Sequence, residues 1–212
     1  RDLSNMALVT LTFSGGTFTQ GVQYNLDIAG VRDLEGNTMA PATKTFILYT
    51  ANAFDIVVNE IMADPDPAVG LPNAEYLELF NRTPYEINLA GWSLDIGGTV
   101  KILPDSAITP GGYMIITHDN NAAALSVNGP CIGLSSFSLT NTGATIKILN
   151  TLNSVIHAVS YSDQWYNNTV KDDGGWSLEQ IDPANPCGGS GNWRASVDSR
   201  RGTPGAINSI NG

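Results

Sequence analysis

Histidine, cysteine and basic charge are all scarce in this 212-residue chain, and each shortage removes a class of function. Ten Lys and Arg stand against twenty Asp and Glu, a net charge of −10 that repels a polyanion, so nucleic acid is excluded as a natural partner. The two cysteines, Cys131 and Cys187, lack the spacing of a zinc site or a redox CxxC pair. The two histidines, His118 and His157, stand alone: the chain has no His-Glu-x-x-His, no Gly-x-Ser-x-Gly elbow and no Walker-type glycine loop. No stretch approaches the ~18 consecutive apolar residues of a membrane helix. The residues from Arg1 show no basic, apolar, small-residue leader pattern and read like the interior of a domain, as in a mature or excised fragment. A sustained apolar stripe at helical spacing is missing too; only NNAAALSV (120–127) suits one short turn of helix.

What the chain does have is alternation. Period-2 segments at 8–13, 23–31, 43–50, 54–62, 75–81, 112–118, 144–149 and 154–162 predict strands, separated by Gly, Pro and Asn punctuation. With 42% apolar residues and no crossover helices, these strands predict an all-β chain built as antiparallel sandwiches. YTANAF (49–54) parts two strand-rich regions. The expected organisation is therefore residues 1–50, a tether at 51–54 too short for free reorientation, and a larger domain at 55–209.

Within the larger region the motifs have structural tasks. INLAGWSL puts Ile87, Leu89 and Trp92 where a strand enters a core, with Gly91 permitting a bend beside the indole. LTNTGATIKI reads as strand, Asn-Thr-Gly turn, strand, with Gly143 free to take a positive φ. Together with VVNEIMADPDP, GLPNAEYLELFNRT, LPDSAITPGGYMII, DDGGWSLEQIDPANPC, NWRAS and RGTPGAINS, in this order, they make residues 55–209 resemble a bacterial lamin tail domain. One departure is Arg201-Gly202 before Thr203, where a glycine pair would stand. Likewise GVQYNLDIAGVRDLEGNTMAPATKTFILY resembles the closing strands of the bacterial Ig-like domains of surface-layer and secreted modular proteins, with the front strands missing. The resemblance implies an Ig-like antiparallel β-sandwich without catalytic residues, preceded by part of a second Ig-like domain. It also implies attachment to enzymes, adhesins or surface modules.

Candidate chemistry lies in five groups of residues. Glu60, Asp64, Asp66, Glu75 and Glu78 fall close together in sequence; Pro65 and Pro67 force 63–74 to be a loop, which spreads the acids over that loop and two sheet faces. Asp64, Asp66 and Glu75 with loop carbonyls can supply some of the oxygens of a calcium site, the alternative being a solvated connecting loop. RDLEGN (32–37) echoes the start of a calcium loop but lacks its position-6 glycine and terminal Glu, so a tight hairpin turn is expected around Asp33. His157, on the side of Val155 and Val159, reads as a buried, satisfied imidazole, while His118, before Asp119, ends a strand. In SDQWYNNTVKDDGGW, Trp165 and Tyr166 offer rings for stacking a sugar, against the reading that Trp165 and Trp176 cover the sandwich edge; Trp193 is expected to close the other end of the core. Cys131 and Cys187 either close a disulfide loop of about 56 residues, adding about 4 kcal/mol, or remain separate small core residues.

The functional expectation is a non-catalytic, monomeric, extracellular spacer, attachment or protein-interaction module of a larger secreted or surface protein. Its partners would be neighbouring domains and a surface protein or glycan, with no cofactor. The alternative is a carbohydrate- or calcium-binding accessory module attached to an extracellular enzyme.

Overall fold

The computed structural model describes residues 11–212, which divide into two compact units at Thr50/Ala51. In the first, β1 (Gln23–Ile28) pairs antiparallel with β2 (Ala42–Ile47), placing Tyr24 opposite Phe46. The ring of Phe18 lies edge-on to Tyr24 at 4.8 Å and to Phe46 at 5.2 Å. The expected turn is present: Asp33 Oδ1 accepts from the Glu35 and Asn37 N–H groups, and Asn37 Nδ2 donates to Asp33 Oδ2. Of the strand expected at 8–13, residues 8–10 lie outside the described residues and 11–13 are not in a strand. No residue between 11 and 50 is buried.

Ala51–Gly212 form the second unit. Its elements are β3 (Ile56–Met62), β4 (Tyr76–Asn81), β5 (Ile87–Asn88), β6 (Ser93–Ile96), β7 (Thr99–Ile102), β8 (Ala107–Ile108), β9 (Tyr113–His118), α1 (Asp119–Leu125), β10 (Cys131–Leu134), β11 (Gly143–Leu149), β12 (Val155–Ser162), β13 (Leu178–Gln180) and β14 (Trp193–Ala195). A six-stranded sheet runs β10-β9-β4-β3-β13-β14, a four-stranded one β12-β11-β6-β7, and β5 pairs with β8. One pair departs from the antiparallel expectation. β10 lies parallel to β9, because α1 carries the chain back along the sheet before it re-enters.

Pleating sorts the six-stranded sheet into two faces. Val58, Ile61, Leu77, Leu79, Met114, Ile116 and Leu178 share one register face and are all buried. They face the buried Leu94, Ile146, Ile148 and Val159 of the four-stranded sheet to form the sandwich core. Two bulges alter the expected alternation. On β3 the register shifts between Val58 and Glu60, so Asn59 is the extra residue and Asn59 and Glu60 both turn to the outer face. On β12 the partners jump from Val155 to His157, so Val155 is exposed instead of sharing His157's buried side.

The outer face carries its own small apolar cluster, Met62, Leu71, Ala74, Tyr76, Ile115 and Leu125, contributed by the sheet, the 63–75 loop and α1. Residues 51–54, expected as a tether, are built into this unit. Ala51 is buried, and the Phe54 N–H donates to the Ile156 carbonyl at 2.7 Å.

The disulfide alternative is not realised: Cys131 and Cys187 are both free. Cys131 sits on β10, one edge of the six-stranded sheet, and packs against the outer cluster. Cys187 is exposed in the connection from β13 to β14 at the opposite edge. Four to five strand spacings, roughly 20 Å, separate those positions, against about 6 Å between the Cα atoms of a disulfide.

Candidate functional site

The densest polar grouping lies on the outer face, at the centre of the six-stranded sheet. Register places Glu60 opposite Glu78 on β4 and opposite Glu179 on β13, so three neighbouring strands present a row of carboxylates. All three are 0% exposed. Glu60 Oε1 accepts from the Tyr76 hydroxyl at 2.7 Å, the Ser177 hydroxyl at 2.6 Å and the Thr203 N–H at 2.8 Å. Glu78 accepts from Asn59 Nδ2 at 2.9 Å and from the Gly205 N–H. Glu179 accepts from the Thr203 hydroxyl at 2.9 Å and the Ser209 hydroxyl at 2.7 Å. Asn208 completes the row, donating to the carbonyls of Asn59 and Gln180.

Each of the three carboxylates thus bonds the C-terminal segment 203–209, which they hold down as a strap. Gly202 makes the close approach possible, since a Cβ there would lie 2.5 Å from the Tyr76 hydroxyl and 2.9 Å from Glu60 Oε1. Arg201, in place of a first glycine, takes φ = 73°, a left-handed conformation that favours glycine. Its guanidinium lies 4.9 Å from the Trp176 ring, which also receives Lys171 Nζ at 4.1 Å, so two cations contact one indole.

Taking Glu60 and Glu78 out of water favours their neutral form. Burial, then the Glu179 charge, raises Glu60 to about 7, and Oε2, which has no partner among the described residues, is free to carry the proton. Burial and Glu60 likewise push Glu78 well above the usual carboxylate range. Such shifts often mark catalysis, but a substrate must reach the groups, and the strap seals all three. Their demonstrable task is to fasten the strap.

The residues singled out as calcium ligands do not assemble as a set. Asp64 Oδ2 accepts from Asn141 Nδ2 at 2.7 Å, and Glu75 Oε2 from the Leu139 N–H at 2.9 Å, so these two tie the 63–75 loop to the segment before β11. Asp66 is exposed, and among the described residues no three Asp, Glu, His or Cys side chains gather at metal-binding geometry. The real convergence is that of Glu60 and Glu78, which the sequence places on separate strands without showing that they share a face. Glu179 carries no sequence signal, because Leu178-Glu179-Gln180 is too short to display alternation. The bulge at Asn59, invisible in the sequence, completes the set.

His157 is buried as expected, but it bridges the sheets by accepting from the Val58 N–H on Nδ1 at 3.0 Å. Burial lowers it to about 4, with the Pro186 carbonyl pulling the other way and the Arg82 charge adding to the fall. His118 caps α1, its Nδ1 accepting from the Asn120 N–H at 3.2 Å. Of the aromatic pair, Tyr166 is buried and donates its hydroxyl to the Trp176 carbonyl at 2.9 Å, which withdraws it from any ligand. Trp165 is half-buried, its ring 6.1 Å from that of Trp193, and borders a shallow groove of about 390 Å³. Trp193 is buried on the edge strand β14.

A two-layer β-sandwich whose outer-face acids are bonded to its own chain has the architecture of Ig-like modules. Comparison with known families matches residues 49–163 to the lamin tail domain, more than half of the chain, and the chain belongs to that family. Lamin tail domains are non-enzymatic Ig-like domains that mediate protein interactions. The motifs from DDGGWSLEQ onward lie beyond the matched span, yet they supply Glu179 and the strap. Among curated proteins no match is found. No helix among the described residues is long and apolar enough to cross a membrane.

Proposed function

We propose that this chain is an extracellular, non-catalytic spacing and interaction module within a larger secreted or surface-attached protein, met by its neighbours through its exposed surface and held rigid by its interior. The observation that carries this reading is the sealed carboxylate row. The grouping best suited to acid–base work is buried and consumed in fixing the strap. A net charge of −10 keeps such a module soluble in a crowded array and repels polyanions.

The experiment is a turnover panel of ester, peptide, glycoside and phosphate substrates on the wild-type chain and on Glu60→Gln and Glu78→Gln. No turnover is expected from any of them. Turnover that disappears in either variant while the fold persists overturns the reading.

A further inference from the structure

The geometry points to the groove beside Trp165 as a binding site for a short oligosaccharide that carries a carboxylate. The inference rests on the reading above of a non-catalytic interaction module and adds to it a surface and a ligand class.

The groove is rigidly framed. Residues Asp163–Tyr166 form a 310 turn whose Gln164 N–H is capped by the Asp163 carboxylate at 2.7 Å and by the Ser162 hydroxyl. Asn167 closes the turn in a left-handed conformation, φ = 49°. With Tyr166 anchored in the interior, the preceding side chain turns the other way, and Trp165 lies half-exposed over the buried Trp193 at a tilt of 37°. An indole held by a second indole is a pre-formed stacking platform that loses little freedom on binding.

The polar side chains around it are uncommitted. Elsewhere in the sandwich Asn side chains bond the backbone, as those of Asn81, Asn150 and Asn192 do. Around the groove, the side chains of Gln164, Asn167, Ser190 and Arg194 make no hydrogen bond or ion pair among the described residues. Amides and a hydroxyl beside a half-buried aromatic ring match the alternating apolar face and hydroxyl rim of a pyranose. Arg194, exposed on the edge strand next to Trp193 and paired in register with Glu179, lines the groove's rim and adds a planar cation suited to a carboxylate.

An adjoining depression of about 550 Å³ shares Gln164 and Asn167 and continues past Asn168 and Thr169 to Asp172. Both volumes fall in the range of small-ligand sites, roughly 300–1,000 Å³. Charge sets the orientation: a carboxylate-bearing ring belongs at Arg194, and neutral rings belong toward Asp172. The net charge of −10 selects against densely charged polysaccharides.

The test is calorimetric titration of the full chain with 3′-sialyllactose, which carries its single carboxylate on a terminal ring, and with its methyl ester, a neutral trisaccharide of the same linkage, alongside Trp165→Ala and Arg194→Gln. The acidic trimer is expected to bind, and each substitution to weaken it about tenfold or more, the scale of one charge-assisted hydrogen bond or one stacking contact. The neutral trimer should lose a similar factor and be insensitive to Arg194→Gln. Arg194 is exposed, so its variant keeps the fold even where Trp165→Ala loosens the turn. Absence of binding at millimolar concentration, or binding that neither substitution changes, overturns the inference. In either case the non-catalytic reading still stands or falls separately, on the turnover panel.

Discussion

Residues 11–50 and 51–212 obey the same alternating pattern and end up in opposite states of burial. In the first unit, Tyr24, Leu26 and Ile28 share one face of a hairpin, yet none of them is fully covered, and Leu11, Phe13, Val22, Val31 and Met39 are exposed. In the second, Leu77, Leu79, Leu94, Ile146 and Ile148 are 0% exposed. The difference is not in the strands themselves. It lies in the second layer: the two-stranded sheet has no second sheet among the described residues of its own unit, whereas the sandwich sets a four-stranded sheet on one side and a strap on the other. Alternation thus specifies a strand and its faces, while burial requires an opposing surface.

The contrast is sharpest if the units are separated. A peptide of residues 11–50 is expected to show no cooperative thermal transition by circular dichroism, while residues 51–212 unfold in one sharp step. A cooperative hairpin peptide would break the comparison. Next comes the core. Leu79→Ala should cost about 2–5 kcal/mol in denaturant unfolding, whereas Leu26→Ala in the hairpin should cost under about 1 kcal/mol.

Protonation separates the sandwich further. Glu60 titrates near 4.5 in the unfolded chain and about 7 in the fold, and Glu78 is raised as well, so folding binds protons that the unfolded chain has released. Their contribution is complete below pH 4.5 and is lost as pH rises through 7. His157 works against them, because its folded value near 4 lies below its ordinary 6.5 and its contribution is lost as pH falls through 4. Glu60 and His157 are shifted by similar amounts in opposing senses, so Glu78 tips the sum. Urea midpoints should therefore decline between pH 4.5 and 7, and Glu60→Gln should remove or reverse that decline. A midpoint that instead rises across that range in the wild type would contradict the upward shifts of Glu60 and Glu78.

Smaller effects come from single contacts. Gly202→Ala puts a methyl against the Tyr76 hydroxyl and Glu60 and should cost about 1–3 kcal/mol by overpacking, read as a lowered Tm. Reducing agent should leave Tm unchanged, with two thiols per chain reacting under native conditions. Cys187, exposed, should react faster than Cys131, whose thiol burial pushes up. A Tm that drops on reduction would mean a disulfide exists.

The legible part of the sequence was periodic. Strands β3, β4, β9, β11 and β12 fall inside the expected segments to within a residue, and α1 coincides with NNAAALSV to within a residue at its start. The Asn-Thr-Gly turn is also where expected; Gly143 takes φ = 133°, and a Cβ there would lie 2.4 Å from the Tyr161 carbonyl. Short elements escaped: β5 and β8 hold two residues each, and β13 and β14 three, below the length at which alternation is visible. The site was less legible than the fold. Local spacing favours Asp64, Asp66 and Glu75, whereas the carboxylates that converge come from positions 60, 78 and 179, joined only by sheet register. Trp165 and Tyr166 are equivalent neighbours in the sequence, and a single turn sends one outward and the other inward.

By itself the amino-acid order determined that this would be an all-β, acidic chain with a core-forming region after Phe54, because periodicity, turn residues and net charge are properties of near neighbours and of sums. Only the tertiary structure decided that three glutamates meet under a strap, that two cysteines stay apart and that Trp165 stays half-buried while Tyr166 is buried. Those outcomes depend on strand order, on bulges that turn a side chain to the other face, and on contacts between residues more than a hundred positions apart, none of which leaves a local trace in the chain.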